Sequence, residues 1–281
     1  MKYLVIDRRR DKYPLAIMCQ FFGVSRSGYY AFKKRMSKPD RDEGLARAIA
    51  ECQQSCRNTY GYRRVHIWLQ RTKKIQLNPK TVLRVMNKYG LLSEIRRRKK
   101  YKQMGQRAHR YENLLNRDFH ADKPNQKWVT DISYIHTGQG ILYLSIIRDL
   151  YDNSIIFHKT GTTQTTNLVL KTIRTAKEKE KVATELQLHS DQGFQYTSHA
   201  YHNLTKEYAI TPSMSRRGNC LDNAMAENFF SILKAECINR QKIKDFDTAK
   251  RLIDDYIHFY NYERIQLKTK LTPFEKRCQF A

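Results

Sequence analysis

Between residues 96 and 102 the chain reads Arg-Arg-Arg-Lys-Lys-Tyr-Lys, six positive charges in seven positions. Such a block cannot be core, because each unpaired charge taken out of water is heavily penalised. It has to lie at the surface, and a domain boundary is expected between it and about residue 120. The parts on either side differ in charge. Residues 1–117 hold 30 Lys/Arg against 8 Asp/Glu, a net of +22, and residues 118–281 hold 23 against 19, a net of +4. A basic front end is joined to a nearly neutral back end. Unbalanced charge on this scale repels itself unless a polyanion is close, so the partner is expected to be nucleic acid or an anionic membrane.

The 281 residues suffice for one large domain or two to three small ones. No apolar run approaches the roughly 18 residues of a membrane span. Residues 1–11 are charged, and Pro14 to Val24 is short, broken by Gln20, and lacks a cleavage pattern. A cytoplasmic protein is expected. Its six cysteines have no framework spacing and read as reduced thiols. Cys52 and Cys56 with His66 lack the two-residue spacing and the fourth ligand of a zinc site.

In the front end, Leu15, Met18, Cys19 and Phe22 follow helical spacing, Gly23 breaks it, and Ser25 can cap a second helix carrying Tyr29, Tyr30 and Phe32. Helix, short turn and basic second helix form a helix-turn-helix pattern, with Arg26, Ser27, Tyr29 and Tyr30 as candidate DNA contacts. Leu45 to Cys56 and Arg63 to Arg71 are further helices, and Asn78-Pro79 opens another that Gly90 ends. Tyr60-Gly61-Tyr62-Arg63-Arg64 sets aromatics beside guanidinium groups, a mix suited to phosphate, so Arg63 and Arg64 join the candidates. Arg96, Arg97, Arg98, Lys99 and Lys100 would lie along a phosphate backbone and contribute a strongly salt-dependent term.

From Trp128 the pattern changes to strands. Residues 128–135, 141–147 and 154–158 read as three strands, the first two joined by a turn at Gly138-Gln139-Gly140; 168–181 is an amphipathic helix. Residues 185–189 read as a fourth strand, 198–208 as a helix and 209–212 as a fifth strand, which together make an α/β layer. Asp131 interrupts an apolar, β-branched strand where Asp is disfavoured. Asp191 follows the fourth strand at the edge where α/β sheets place their sites. A carboxylate inside a sheet has either a fixed partner or a cation. Glu227 and Lys234 lie two turns apart on one face of the helix that follows, which Asp222 or Asn223 can cap. Three such acids brought together would suit hard divalent cations.

The segments Trp128-Val-Thr-Asp131-Ile-Ser-Tyr134, His189-Ser-Asp191-Gln-Gly-Phe-Gln-Tyr196 and Gly218-Asn-Cys-Leu-Asp-Asn-Ala224 through Glu227 and Lys234 resemble the DDE motifs of insertion-sequence transposases. The likeness is closest to the downstream-frame product, OrfB, of two-frame bacterial elements, whose catalytic core is like retroviral integrase. Thirty-five residues lie between Asp191 and Glu227, as in that family, and Lys234 matches its trailing basic residue. Residues 13–30 and 60–64 resemble its amino-terminal part; Tyr256 to Asn261, Arg264 and Leu271-Thr272-Pro273 resemble its end. Ile265-Gln266 departs from the usual Pro-His or Ile-His.

The resemblance implies an RNase H-like α/β core in which Asp131, Asp191 and Glu227 hold two Mg²⁺ or Mn²⁺ ions, with Lys234 touching DNA. Water and then a freed 3′-hydroxyl would attack phosphodiesters, with no covalent protein–DNA intermediate. The partners would be double-stranded DNA, further copies of the chain on that DNA, and an upstream-frame (OrfA) protein or fusion. The expected division is a helix-turn-helix module over 1–57, a second helical module over 58–100, a linker over 101–120, the catalytic core over 121–240 and a helical tail over 241–281. Among the other acids, Asp222 reads as a cap and Glu236 as a solvated residue, and His189 and His136 as structural neighbours of the acids rather than bases. The rival functions are a catalytically silent DNA-binding regulator, and an RNase H-type nuclease, which leaves the basic arm unexplained.

Overall fold

The computed structural model describes residues 2–37, 40–94, 111–182, 185–216 and 219–280. The basic block at 96–102 and the first half of the expected linker lie outside the described residues. Six helices lead: α1 (Lys2–Arg9), α2 (Leu15–Phe21), α3 (Arg26–Met36), α4 (Glu43–Ser55), α5 (Tyr62–Thr72) and α6 (Pro79–Lys88). The expected turn joins α2 to α3, and Ser25 caps α3 by accepting the Gly28 amide hydrogen bond at 3.0 Å. The highly charged α1 is not anticipated by the sequence pattern; its anchor is Ile6, buried with Met18, Cys19 and Tyr29. A Cβ on residue 28 would overlap the Tyr3 hydroxyl, so glycine there lets α1 lie against α3.

Helix α4 packs with α5 and α6 through Ile49, Cys52, Val65, Leu69, Val82 and Met86. The expected boundary at residue 57 therefore passes through a packed unit, and the change of partner falls between α3 and α4. Cys52 and Cys56 are buried free thiols in this unit, not metal ligands.

The back end follows as β1 (Lys127–Thr137), β2 (Gly140–Asp149), β3 (Ile155–Gly161), α7 (Thr166–Glu180), β4 (Leu186–Ser190), α8 (His199–Glu207) and β5 (Ile210–Met214). A 3-10 turn (Cys220–Asn223) leads into α9 (Ala224–Glu236), and α10 (Phe246–Tyr262) and α11 (Pro273–Cys278) complete it. The sheet order is β3-β2-β1-β4-β5: the first three strands form an antiparallel meander, and β4 and β5 run parallel to β1. This is the RNase H-like arrangement expected.

Helices α7 and α8 cover one sheet face, where Trp128, Ile147 and Leu188 meet Val169, Ile173 and Leu204. On the other face Ile135, Leu144 and Ile146 meet Phe229 and Leu233 of α9 and Ile253 and Tyr256 of α10. That second core is continuous with the core of α4–α6. Front and back ends are thus not packed separately, as the charge division suggests; they share apolar surface.

The chain after α10 fastens them. Tyr60 Oη donates to the Glu263 carbonyl at 3.2 Å and accepts the Ile265 amide at 2.8 Å, and Arg64 Nε donates to the Ile265 carbonyl at 3.0 Å. Gln266 Nε2 donates to the Asp152 carbonyl at 2.6 Å. At the Ile265-Gln266 departure Ile265 is buried and is held through its backbone, whereas Gln266 is held through its side chain, which also accepts from Asn153 Nδ2 at 3.0 Å. Asn261 bonds both the amide and the carbonyl of Ile155 at 2.9 Å.

Candidate active site

Strands β1 and β4 run parallel with Val129 opposite His189. Two residues further along each course come Asp131 and Asp191, so strand alternation puts both carboxylates on one sheet face. Strand β4 ends at Ser190, and Asp191 emerges beside the middle of β1. Helix α9 covers that face with Ala226, Phe229, Phe230 and Leu233 buried, and its first turn carries Glu227. All three acids are half-buried.

Backbone amides orient the two sheet carboxylates. Ile132 N–H donates to Asp131 Oδ1 at 2.7 Å, and Gly193 N–H donates to Asp191 Oδ1 at 2.8 Å. A Cβ on residue 193 would stand 2.9 Å from that same oxygen and 3.0 Å from Gln195 Oε1, so the turn after β4 requires glycine for close approach.

The acids repel one another. Burial, then the charge of Asp191, then that of Glu227 push Asp131 well above the usual carboxylate range; the Ile132 amide and the Lys234 ammonium pull the other way. Burial and Asp191 raise Glu227. Lys234, on the same helix as Glu227, is lowered by burial, and its Nζ lies 4.7 Å from the centre of the Tyr134 ring. Burial and both aspartates raise Tyr196, whose hydroxyl lies 3.2 Å from Thr130 Oγ1. Among the described residues no three His, Cys, Asp or Glu side chains stand close enough together to share one ion. The acids instead act on each other pairwise, with Asp191 raising both others.

Three neighbouring ionisable groups, His189, Asp222 and Glu236, are occupied. His189 is buried with Nδ1 and Nε2 at 2.8 and 3.1 Å from the Ser213 and Ser215 hydroxyls, and burial lowers it to about 4, so it is a neutral structural residue. Asp222 does not cap α9, and neither does the Asn223 side chain. Its buried carboxylate accepts from Arg216 Nε and Nη2, Arg117 Nε and Asn113 Nδ2, and these donors, Arg216 foremost, hold it far below the usual range. Glu236 is not solvated: it is buried, accepting from Arg264 and from the Tyr256 hydroxyl. Both acids are accounted for without a metal.

Of the residues proposed for DNA contact, Arg26, Ser27 and Tyr30 are exposed near the start of α3. Tyr29 is not: it is fully buried, with its hydroxyl donating to Asp7 at 2.7 Å, and belongs to the small core. Arg63 is exposed over the Tyr62 ring, whereas half-buried Arg64 is held by the Ile265 carbonyl and acts as a joint. Arg96, Arg97, Arg98, Lys99 and Lys100 lie outside the described residues.

Sequence reasoning missed Gly193, Tyr196 and Arg148. Arg148 is buried in β2 and donates to the Met225 carbonyl, two residues before Glu227, and to Asn153 Oδ1 and the Tyr260 hydroxyl at 3.1 and 3.2 Å. The signal for it was the one that exposed Asp131: a charge inside an apolar strand.

Two family models described as "Integrase core domain" match residues 121–220 and 227–280, and one described as "HTH-like domain" matches residues 39–99. The last covers α4–α6, not the α2–α3 pair. The transposase InsF for insertion sequence IS3A of Escherichia coli (strain K12) is 31% identical over 264 residues, covering 92% of this chain and 91% of its own. A relative from the same strain named "Putative transposase InsK for insertion sequence element IS150" is 38% identical over 276 residues, covering 98% of this chain and 97% of its own. A transposase-like protein of Haemophilus influenzae is 40% identical over 206 residues, 73% of this chain and 95% of its own. The chain belongs to the OrfB-type transposases of bacterial insertion sequences, with an HTH-like helical unit and an RNase H-like integrase core.

Proposed function

We propose that this chain is a DNA transposase that cuts and joins insertion-sequence ends, with Asp131, Asp191 and Glu227 together holding two Mg²⁺ or Mn²⁺ ions. The observation that carries the reading is the pair of carboxylates on β1 and just beyond β4, on the sheet face that α9 covers with a third, where Asp191 raises the proton affinity of both Asp131 and Glu227. Such a set of oxygen donors, short of positive charge, fits a hard divalent cation. The chemistry such ions supply when bound is activation of the attacking oxygen and relief of charge on the leaving one.

The chain's own residues do the positioning. The Ile132 and Gly193 amides fix one oxygen of each aspartate, which sets the direction of the carboxylates. Lys234, one side of the acids, offers an ammonium to a DNA phosphate. Water would attack first and the freed 3′-hydroxyl afterwards, with no residue forming a covalent bond to DNA. Arg26, Ser27, Tyr30, Arg63 and the block 96–100 would grip double-stranded terminal repeats and target DNA, as a homo-oligomer and together with an upstream-frame (OrfA) partner or fusion.

The test is Asp131→Asn, Asp191→Asn and Glu227→Gln, assayed for cutting and joining of labelled element ends and, separately, for DNA binding. Each variant is expected to lose both reactions and keep DNA affinity. Near-normal strand transfer by any one of them with Mg²⁺ shows that the site is wrongly assigned. A wild-type chain that binds ends but cuts none with Mg²⁺ or Mn²⁺ supports the silent regulator instead.

A further inference from the structure

Lys80, Arg84 and Lys88 recur every fourth residue along α6, and all three are exposed. Val82, Val85 and Met86 bury the opposite side. Eight residues of helix span roughly 12 Å, so the cations form one stripe about as long as a major groove is wide. Yet two of the three already hold carboxylates. Asp42, in the connection between α3 and α4, accepts both Arg84 Nη1 and Nη2 at 2.7 Å, a two-pronged fork, and Lys88 Nζ at 2.9 Å. Asp40 accepts Lys88 Nζ at 2.8 Å and the Tyr89 hydroxyl at 2.5 Å. These donors hold Asp40 down to about 2 and Asp42 lower still, so both are ionised at any working pH. The basic front end has only 8 acids among its first 117 residues, and two of them stand on this stripe.

We propose that the Lys80–Arg84–Lys88 face of α6 is a binding site for the phosphate backbone of duplex DNA, and that Asp40 and Asp42 are built-in competitors that occupy it in the free protein. The fork on Asp42 is the geometry in which an arginine takes a phosphate, and the lysine takes either anion as a point charge. Binding there exchanges two carboxylates for two phosphates, and the connection between α3 and α4 is released from α6. Affinity for DNA is thereby held below what the cations alone would give, and α1–α3 are coupled to the engagement of α6. The inference rests on the reading of the chain as a DNA-binding transposase.

The experiment measures anisotropy of a fluorescein-labelled random-sequence duplex against salt, with the full chain. Asp40→Asn with Asp42→Asn is expected to raise affinity about fivefold, because solvent-exposed ion pairs of this kind are worth up to about 1 kcal/mol. It should also steepen the salt dependence, because the wild type must break exposed ion pairs that salt itself weakens, and the Asn pair has none to break. Adding Arg84→Gln and Lys88→Gln in that background should abolish both gains. The exchange Asp42→Arg with Arg84→Asp keeps the staple but puts an acid on the stripe, so it should bind more weakly than wild type. Unchanged affinity and salt slope in the Asn pair overturn the proposal, and so does an exchanged variant that binds as well as wild type. The exchange decides the matter if the Asn pair melts early. A wild-type chain without measurable affinity for any duplex would instead refute the transposase reading itself.

Discussion

Arg264 and Glu236 are 5% and 4% exposed in their side chains, and their removal from water has to be compensated within the core. Arg264 Nε and Nη2 donate to Glu236 at 2.8 and 2.6 Å, and the Tyr256 hydroxyl donates at 2.6 Å. Arg264→Leu takes away two of those three donors and leaves a carboxylate on one hydroxyl among apolar neighbours. Breaking one side of a buried pair in this way costs about 3–5 kcal/mol. Tyr256→Phe removes a single bond to a charged group and should cost about 1.5–3 kcal/mol. The double variant Glu236→Leu with Arg264→Met, made in the Tyr256→Phe background so that no buried hydroxyl loses its acceptor, leaves no orphaned charge and should unfold within about 1 kcal/mol of wild type, or above it. Urea unfolding followed by circular dichroism and by fluorescence of the two tryptophans, half-buried Trp68 and buried Trp128, reads these as shifts in midpoint at constant slope. The double variant's recovery is the diagnostic, since independent sites would add their losses. A loss below about 1 kcal/mol for Arg264→Leu, the value of an exposed pair, would refute the argument that Arg264 compensates a buried Glu236 carboxylate.

If Asp191 holds metal as proposed, Gly193→Ala should cut DNA at least about tenfold more slowly while binding it normally, because a 1 Å misplacement of its carboxylate is enough for that; equal cutting rates would show that Asp191 adapts. Asp131 and Glu227 are raised, so the metal-free chain binds their protons more tightly when folded, and the acidic limb of the cutting rate should rise with pH through those raised values. More Mg²⁺ should move that limb to lower pH, by competing with the protons; a limb that ignores Mg²⁺ contradicts the site. His189 is depressed from near 6.5 to about 4, so the unfolded chain takes up its proton first and stability is full above pH 6.5 and falls as pH drops toward 4. The loss should reach about 3 kcal/mol and be flattened in His189→Asn, as measured by urea midpoints across that window.

The back end was the more readable part, for a physical reason. Its strands are short apolar runs between turn residues, and the strand alternation that makes them also makes Asp131 conspicuous as a charge on the wrong kind of surface. Glu227 needed the family likeness, since an acid in a helix's first turn is ordinary. What could not be read were partners distant in sequence. Glu236 looks like any solvated helix-end acid until Arg264, 28 residues on, is folded against it, and Asp222 looks like a cap until Arg117 arrives from 105 residues before. Tyr29 stands next to Tyr30 in a basic helix, and only the presence of α1 decides that one is core and the other surface. The charge count misled about the division of the chain, because net charge records nothing of which helix face is apolar.

That shared apolar core has a consequence for the chain between residues 94 and 111. Cohesion of the two parts is supplied by side chains and by the Tyr60, Arg64 and Arg71 bonds to the segment after α10, not by the peptide link. A protease nick in that link should leave one particle that elutes as the intact chain does. The catalytic half made alone would instead present bare apolar surface and aggregate. Holding the halves together therefore does not fall to the link, whose sequence carries the Arg-Arg-Arg-Lys-Lys run.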